Sequence, residues 1–400
     1  MNLPIAFIIF VSLILVASSY VLVSIRDKNI VDYLTPTVTI LIVSSYLLPT
    51  IDSYTNGQLG STYAYFYYYA AISIPILTSA LVYFFAKPMK IGWGADLIQS
   101  KNMRWIFLAF SAIIYAPILI KYSSLLASPR DIYQQSRSGE GIYFFTSILV
   151  LDISFIYFLF EKNKKTWNNI LFLLIATGLG LLHGSKSLTI TFYWLYLLHA
   201  VYIEHRKFSL LKVGIVLSIP AFIISALFIV LQGSSINILL DSMVKYADYS
   251  KNAMLVVDDR TMSPHYGKFV LESNLYGRIP RIFFPGKPDF YGSFRVASRY
   301  YSESDLRGVG SPDFSVGLYY YDFGIFAIFY LSAWSAATTY ILKGLVHKSN
   351  TDSSKANFLL IAFISGVGLI QTGESYTLPE HFILAYALAL QAKCQFKFLE

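Results

Sequence analysis

Long apolar runs, most of them near 20 residues and bounded by charged or turn-forming residues, recur along most of the chain. A helix of about 20 apolar residues, rising 1.5 Å per residue, spans the ~30 Å hydrocarbon core of a bilayer. The pattern predicts about eleven such helices. They fall near Leu3–Ile25, Ile30–Pro49, Tyr63–Phe85, Trp105–Leu126, Ile142–Phe160, Asn169–His183, Leu188–Ile203, Leu210–Leu231, Val316–Leu342, Phe358–Gln371 and Phe382–Ala392. The sixth and the last two are short for a full crossing, which a tilt, a re-entrant path or a displaced boundary would explain. The N-terminal run lacks a basic leader and reads as a first membrane helix, not a cleaved signal. From about Gln232 to Asp313 the apolar runs stop. The chain therefore divides into a bundle of about eight helices over 1–231, a large polar loop over 232–315, and about three more helices over 316–400. The fold class expected is an all-α polytopic membrane protein.

Composition agrees. Of 400 residues, 56% are hydrophobic and only 14% charged, against about 25% charged in a soluble domain. The net charge of +8 suits basic membrane-flanking loops and does not call for a nucleic-acid partner. Lys and Arg concentrate in alternate short loops: Arg26/Lys28, Lys87 to Arg104, Lys162 to Lys165, Arg206/Lys207, Lys343 to Lys355 and Lys393/Lys397. The excess of cations on cytoplasmic loops places this set inside, so the N-terminus and the long polar loop face outward. Long loops cross largely regardless of charge, so the cations of the polar loop do not conflict with this orientation. The single cysteine, Cys394, allows no intrachain disulfide.

Several chemistries lack their signature. The chain has no phosphate-binding G-x-x-x-x-G-K-[ST], no H-E-x-x-H and no Cys/His cluster, so neither an ATP motor nor a zinc site is indicated. Asp152 and His199 are the clearest ionisable groups inside the predicted helices; a buried membrane carboxylate is a functional candidate, and a structural hydrogen bond is the ordinary role for Asp152. So few such groups argue against a proton-coupled transporter. The polar loop is different. Between Lys268 and Arg307 stand seven cations, Lys268, Arg278, Arg281, Lys287, Arg295, Arg299 and Arg307, against four acids, Glu272, Asp289, Glu303 and Asp305. Arginine dominates, and its planar fork matches phosphate oxygens bidentately. Gly277, Pro280, Pro285, Gly286, Pro288 and Gly292 turn the segment tightly, while Ile279, Ile282, Phe283 and Phe284 give it something to pack with. An anion-binding surface at the membrane edge is expected, with a solvated loop of Arg–carboxylate pairs as the plain alternative. Arg130 and Arg137 lie in an earlier outward loop, and Lys186 stands in the turn His183-Gly184-Ser185-Lys186-Ser187, whose backbone N–H groups suit a phosphate. His265, Glu272, Glu374 and His381 are candidates for a general base, and sequence does not choose among them. The adjacent Asp258 and Asp259 are weak evidence for a metal.

Arg278-Ile279-Pro280-Arg281-Ile282-Phe283-Phe284-Pro285-Gly286-Lys287-Pro288, followed by Ser311-Pro312 and by Tyr320-Tyr321 with Phe323-Gly324, resembles the outward-loop motif of bacterial O-antigen/oligosaccharide repeat-unit polymerases of the Wzy type. Gly184-Ser185-Lys186 resembles their Gly-Ser-Arg/Lys turn, and Arg130 and Arg137 their arginine-bearing earlier loop. Lys186 stands where many members have Arg, which loses the bidentate fork. The hydropathy resemblance spans essentially the whole chain, the motifs about a quarter of it.

The resemblance implies a GT-C-like membrane glycosyltransferase of the bacterial inner membrane, with its large loop in the periplasm. Its substrate would be an undecaprenyl-diphosphate-linked oligosaccharide, and the growing glycan would pass to the next lipid-linked unit with release of undecaprenyl diphosphate. No cofactor or metal is implied; membrane lipids and a chain-length regulator protein are the partners. On this reading Arg278, Arg281, Arg295 and Arg299 grip the diphosphates. Arg130, Arg137, Lys186, Lys287, Tyr320 and Tyr321 contribute to substrate binding. The rival readings are an O-antigen ligase that moves glycan onto the lipid A core, and a flippase, whose cations would line a cavity among the helices.

Overall fold

The computed structural model describes residues 3–89, 102–126, 129–136, 141–161, 166–209, 211–218, 248–278, 284–302, 306, 313–350 and 354–365, apart from positions 56, 58, 185, 210, 217 and 289. Among them all regular structure is helical: α1 (Leu3–Asp27), α2 (Thr35–Leu41), α3 (Leu48–Thr55), α4 (Thr62–Phe85), α5 (Met103–Lys121), α6 (Pro129–Ser136), α7 (Gly141–Phe160), α8 (Thr166–Leu182), α9 (Lys186–Tyr202), α10 (Asp248–Asp258), α11 (Lys268–Arg278), α12 (Ser293–Ala297), α13 (Gly317–Phe323), α14 (Ala327–Ser349) and α15 (Lys355–Ile364). Five stretches are long and apolar enough to cross a bilayer: Leu3–Asp27, Thr62–Phe85, Met103–Lys121, Ile142–Phe160 and Gly317–Ser349. Trp167–Leu182 and Ile190–Tyr202 are shorter apolar helices. The chain is thus a helical, polytopic membrane protein.

Two predicted spans are corrected. The span expected at Ile30–Pro49 begins only at Thr35. Asp32 precedes it and accepts hydrogen bonds from the backbone N–H groups of Leu34 (2.8 Å) and Thr35 (3.1 Å), which caps the helix and ends its apolar stretch. A six-residue π-helix, Ile42–Leu47, links α2 to α3. Within it the Ser45 carbonyl accepts the Tyr69 hydroxyl at 2.9 Å, a use for the backbone groups that such a loosened ladder displaces. The span expected at Val316–Leu342 is bent: α13 stops at Gly324, whose φ of +57° an L side chain rarely adopts, and α14 starts afresh. Of the predicted Leu210–Leu231 only residues 211–216 and 218 are described, and Phe382–Ala392 lies outside the described residues.

The tyrosine-rich start of α4 is expected at a membrane–water interface, yet Tyr65, Tyr67, Tyr68 and Tyr69 are all fully buried. A buried hydroxyl needs a partner, and each has one. Tyr65 pairs with Ser53 Oγ (2.8 Å), Tyr67 donates to Val316 O (3.0 Å), and Tyr68 donates to Ser45 Oγ (3.1 Å). Together with Tyr69 they join α4 to the π-helix, to α3 and to the start of α13.

At the opposite end of the bundle, charges read from sequence as loop cations are buried. Lys343 donates to the carbonyls of Ala86 and Phe84, where α4 ends and leaves acceptors unfilled. Arg104 pairs with Glu161 at 3.0 Å and donates to Asn169 at 3.0 Å, clasping the ends of α5, α7 and α8. Asp27 accepts from the hydroxyls of Tyr83 (2.9 Å) and Tyr202 (3.0 Å), joining α1, α4 and α9.

The polar segment folds. Val256, Phe269, Val296, Phe314, Leu318 and Tyr321 form a small core of their own, built from α10, α11, α12 and α13. α10 lies against both α4 and α13. Gly317 makes the second contact possible: a Cβ there would sit 2.6 Å from Ala253 Cα and 3.1 Å from its carbonyl oxygen. Gly317→Ala is therefore expected to destabilise the protein by about 1–3 kcal/mol through overpacking. Gly178→Ala, where nothing lies within 4 Å of the new methyl, should change stability by no more than about 1 kcal/mol. Thermal unfolding of the detergent-solubilised protein, followed by loss of the monodisperse peak, measures both.

Candidate functional site

Of the cluster's described cations, Lys268 and Arg278 belong to α11, Arg295 to α12, and Lys287 and Arg299 to the turns before and after α12. Both α11 and α12 rest on α13. The polar loop thus uses a membrane helix as its floor.

Arg295, on α12, is half exposed. Its guanidinium lies over the Phe269 ring at 5.4 Å, and Nη1 donates to Glu272 Oε1 at 3.0 Å. The other Glu272 oxygen is buried with no hydrogen-bond partner among the described residues. Arg299 is held more fully. Its Nε donates to Asp259 Oδ2 at 2.6 Å, and Nη2 donates to Thr261 Oγ1. Asp259 also accepts from the hydroxyls of Thr261 (2.6 Å) and Tyr300 (3.0 Å). These donors, Arg299 first, hold its carboxyl well below the usual carboxylate range. Asp258, next to it, turns to α4 and accepts from the backbone N–H of Ser61 (2.7 Å) and from its hydroxyl. The two acids read as a weak metal motif are thus committed to an arginine and a helix cap. Among the described residues no group of three or more His, Cys, Asp or Glu side chains is placed to hold a metal.

His265 sits where the segment meets the membrane helix. Its ring stacks on Tyr321 (centroids 4.9 Å apart, 24° between planes) and meets the edge of Phe269 at 4.7 Å. Partial burial lowers its pKa from the ordinary histidine value, helped by Lys268, Arg295 and Arg299 and opposed by Asp322. The imidazole is therefore neutral at pH 7, half exposed and beside the arginines.

The other expected residues divide. Tyr321 underlies His265 and Phe269, whereas Tyr320 packs on Tyr67 at 4.6 Å, toward α4. The adjacent tyrosines of the motif thus have different jobs. Lys287 lies over the Tyr291 ring at 4.6 Å, in a turn whose Phe284 and Tyr291 pack against Tyr276 of α11. The backbone of Arg278 closes α11, that of Arg130 lies in α6, and that of Lys186 opens α9. Arg137, Arg281, Glu374 and His381 lie outside the described residues. In the turn before α9, His183 points inward, stacked on Tyr115 at 3.8 Å and bonded to Ser147 Oγ at 2.7 Å. Asp152 is wholly buried in α7, and neither oxygen has a hydrogen-bond partner among the described residues. The structural bond expected of it is not seen there.

One residue of the site was not singled out from sequence. Asp322, buried in α13, accepts from the backbone N–H of Phe269 (3.0 Å) through one carboxylate oxygen and of Val270 (2.7 Å) through the other. The only sequence signal was its place inside the YYYDFG run.

No protein-family model matches the chain, and no solved structure matches it significantly. Two curated proteins do. Over 378 residues, 92% of this chain and 91% of theirs, it is 27% identical to proteins named O-antigen polymerase from Salmonella typhimurium (strain LT2) and Salmonella typhi. The motif resemblance and this near full-length similarity agree: the chain is similar to O-antigen polymerases over nearly its whole length.

Proposed function

We propose that this protein polymerises O-antigen repeat units at the outer face of the bacterial inner membrane. It works there as a GT-C-like glycosyltransferase of about eleven helices. The donor is a growing glycan on undecaprenyl diphosphate, and the acceptor is a sugar hydroxyl of the next lipid-linked unit. The bond from the anomeric carbon to the phosphate oxygen breaks, with its electron pair leaving on the diphosphate. The acceptor oxygen takes its place at the anomeric carbon, and its proton passes to a base. Near full-length similarity to O-antigen polymerases carries the reading. The folded, arginine-bearing segment supports it chemically. Charge grows on the departing diphosphate, and fixed guanidinium groups stabilise that state more than the ground state.

Among the described cations Arg295 suits the grip best. It is half exposed, and only Nη1 of its donors is engaged with Glu272. Arg278 and Arg281 belong to the same grip on the motif, with Lys287, Arg130, Arg137 and Lys186 toward the glycan and the second diphosphate. Arg299 braces the segment through Asp259. Of the four candidate bases, His265 is favoured: it is neutral and half exposed, while Glu272 is already paired with Arg295.

Reconstitution tests the reading. Purified protein is mixed with lipid-linked repeat units isolated from the source bacterium lacking this gene, with EDTA present. A ladder of lengthened lipid-linked glycans is expected. No ladder, with transfer appearing only when lipid A core is added, would replace it with the ligase. Arg295→Ala should lower kcat/KM about 10²-fold with the amount of folded protein unchanged. The pH–rate profile carries a second expectation. His265 must be neutral to accept a proton, and its pKa lies below the ordinary histidine value. The acidic limb of kcat/KM should therefore lie below about pH 6.5. Arg295→Lys keeps the neighbouring positive charge and leaves the limb unchanged, whereas Arg295→Ala removes it and raises the limb toward pH 6.5.

A further inference from the structure

Residues 265–270 wrap around one side chain of a membrane helix. The main-chain oxygen of Asp322 accepts the N–H groups of His265 (3.0 Å) and Tyr266 (2.7 Å). Its carboxylate accepts those of Phe269 (3.0 Å) and Val270 (2.7 Å), two of the four N–H groups that the first turn of α11 leaves unfilled. The wrap needs left-handed backbone at Tyr266 (φ +55°) and Gly267 (φ +87°), and such conformations persist where surrounding bonds impose them. α11 has no local cap of the ordinary kind, since Gly267 precedes Lys268. The cap comes from more than 50 residues away, and its negative charge also suits the positive end of the helix dipole.

We propose that Asp322 is the positioning residue of the polymerase site, fixing His265 and the Glu272–Arg295 pair against the membrane helix that carries it. The inference rests on the polymerase reading. His265 is held through its own backbone N–H by the main-chain oxygen, which any residue at 322 would supply, and the carboxylate adds the hold on the turn of α11 that follows it. Glu272 lies one turn into the helix that Asp322 caps, so the cap sets where Arg295 is met. The carboxylate also acts on the imidazole through space. Of the charged groups that bear on His265, Asp322 favours the protonated ring, while Lys268, Arg295 and Arg299 oppose it.

The test uses Asp322→Asn, which keeps the shape and one acceptor oxygen, and Asp322→Ala, in the full-length protein in nanodiscs. Hydrogen exchange at the Phe269 and Val270 amides should accelerate in both variants, more in the alanine form, with α14 unaffected. With lipid-linked repeat units from the deletion strain, Asp322→Asn should lower kcat about tenfold or more while KM changes less, as expected when reacting groups are misplaced. Loss of the charge should move the acidic limb of its profile to lower pH, which a merely structural role would not do. Unchanged exchange at both amides, or kcat within twofold of the parent, or an unmoved limb, overturns the proposal. If Asp322→Ala does not fold, Asp322→Asn decides. If the parent protein itself makes no ladder, the polymerase reading fails, and the exchange arm still decides whether Asp322 holds the segment.

Discussion

The close approach of α10 to α13 is the contact on which the rest of the polar segment depends. A polar loop of short helices buries too little apolar surface to hold its place alone. Gly317 lets the backbone of α13 come against Ala253, and the shared core of Val256, Phe269, Leu318 and Tyr321 closes around that contact. Several polar bonds of the site flank this seam. Asp258 and Asp259 project from the end of α10, His265 follows in the connecting loop, and α11 begins where Asp322 caps it. Without the seam, Arg295 and Arg299 would be charges on a tether.

Hydropathy was enough to find the spans whose limits are set by burial in lipid. Leu3–Ile25, Tyr63–Phe85 and Ile142–Phe160 differ from α1, α4 and α7 by only a few residues. It failed where a local polar bond or a backbone conformation ends a helix. Asp32 lies inside an apolar run but caps α2, and the bend at Gly324 follows from backbone conformation, not from apolarity. The same limit held at the site. The richness in arginine and the turn-forming residues pointed to a packed anionic-ligand surface. Which acid meets which arginine was not legible, because Glu272 and Arg295, or Asp259 and Arg299, are 23 and 40 residues apart. Such pairs follow from how α11 and α12 pack. Asp322 was hidden for the same reason, since its partners are backbone groups, which carry no residue signature.

Charge counting proposes an orientation for the chain and says nothing about energetics. Lys343 and Arg104 fell within the basic loops that oriented the chain, yet both are buried and bonded to helix ends. Lys343 meets the carbonyl end of α4, where a cation is favoured. Arg104 is sandwiched among Trp105, Phe158 and Phe172 while its fork holds Glu161 and Asn169.

The two neighbouring acids of α10 have a mechanical consequence. Asp258 grips Ser61, which caps α4, and Asp259 grips Arg299. A membrane helix tilts when the bilayer around it thickens or thins. A tilt of α4 moves its capped end, and two consecutive residues carry that displacement to the arginine on the far side of α10. A change in the tilt of α4 would thereby be felt at Arg299 through two consecutive side chains.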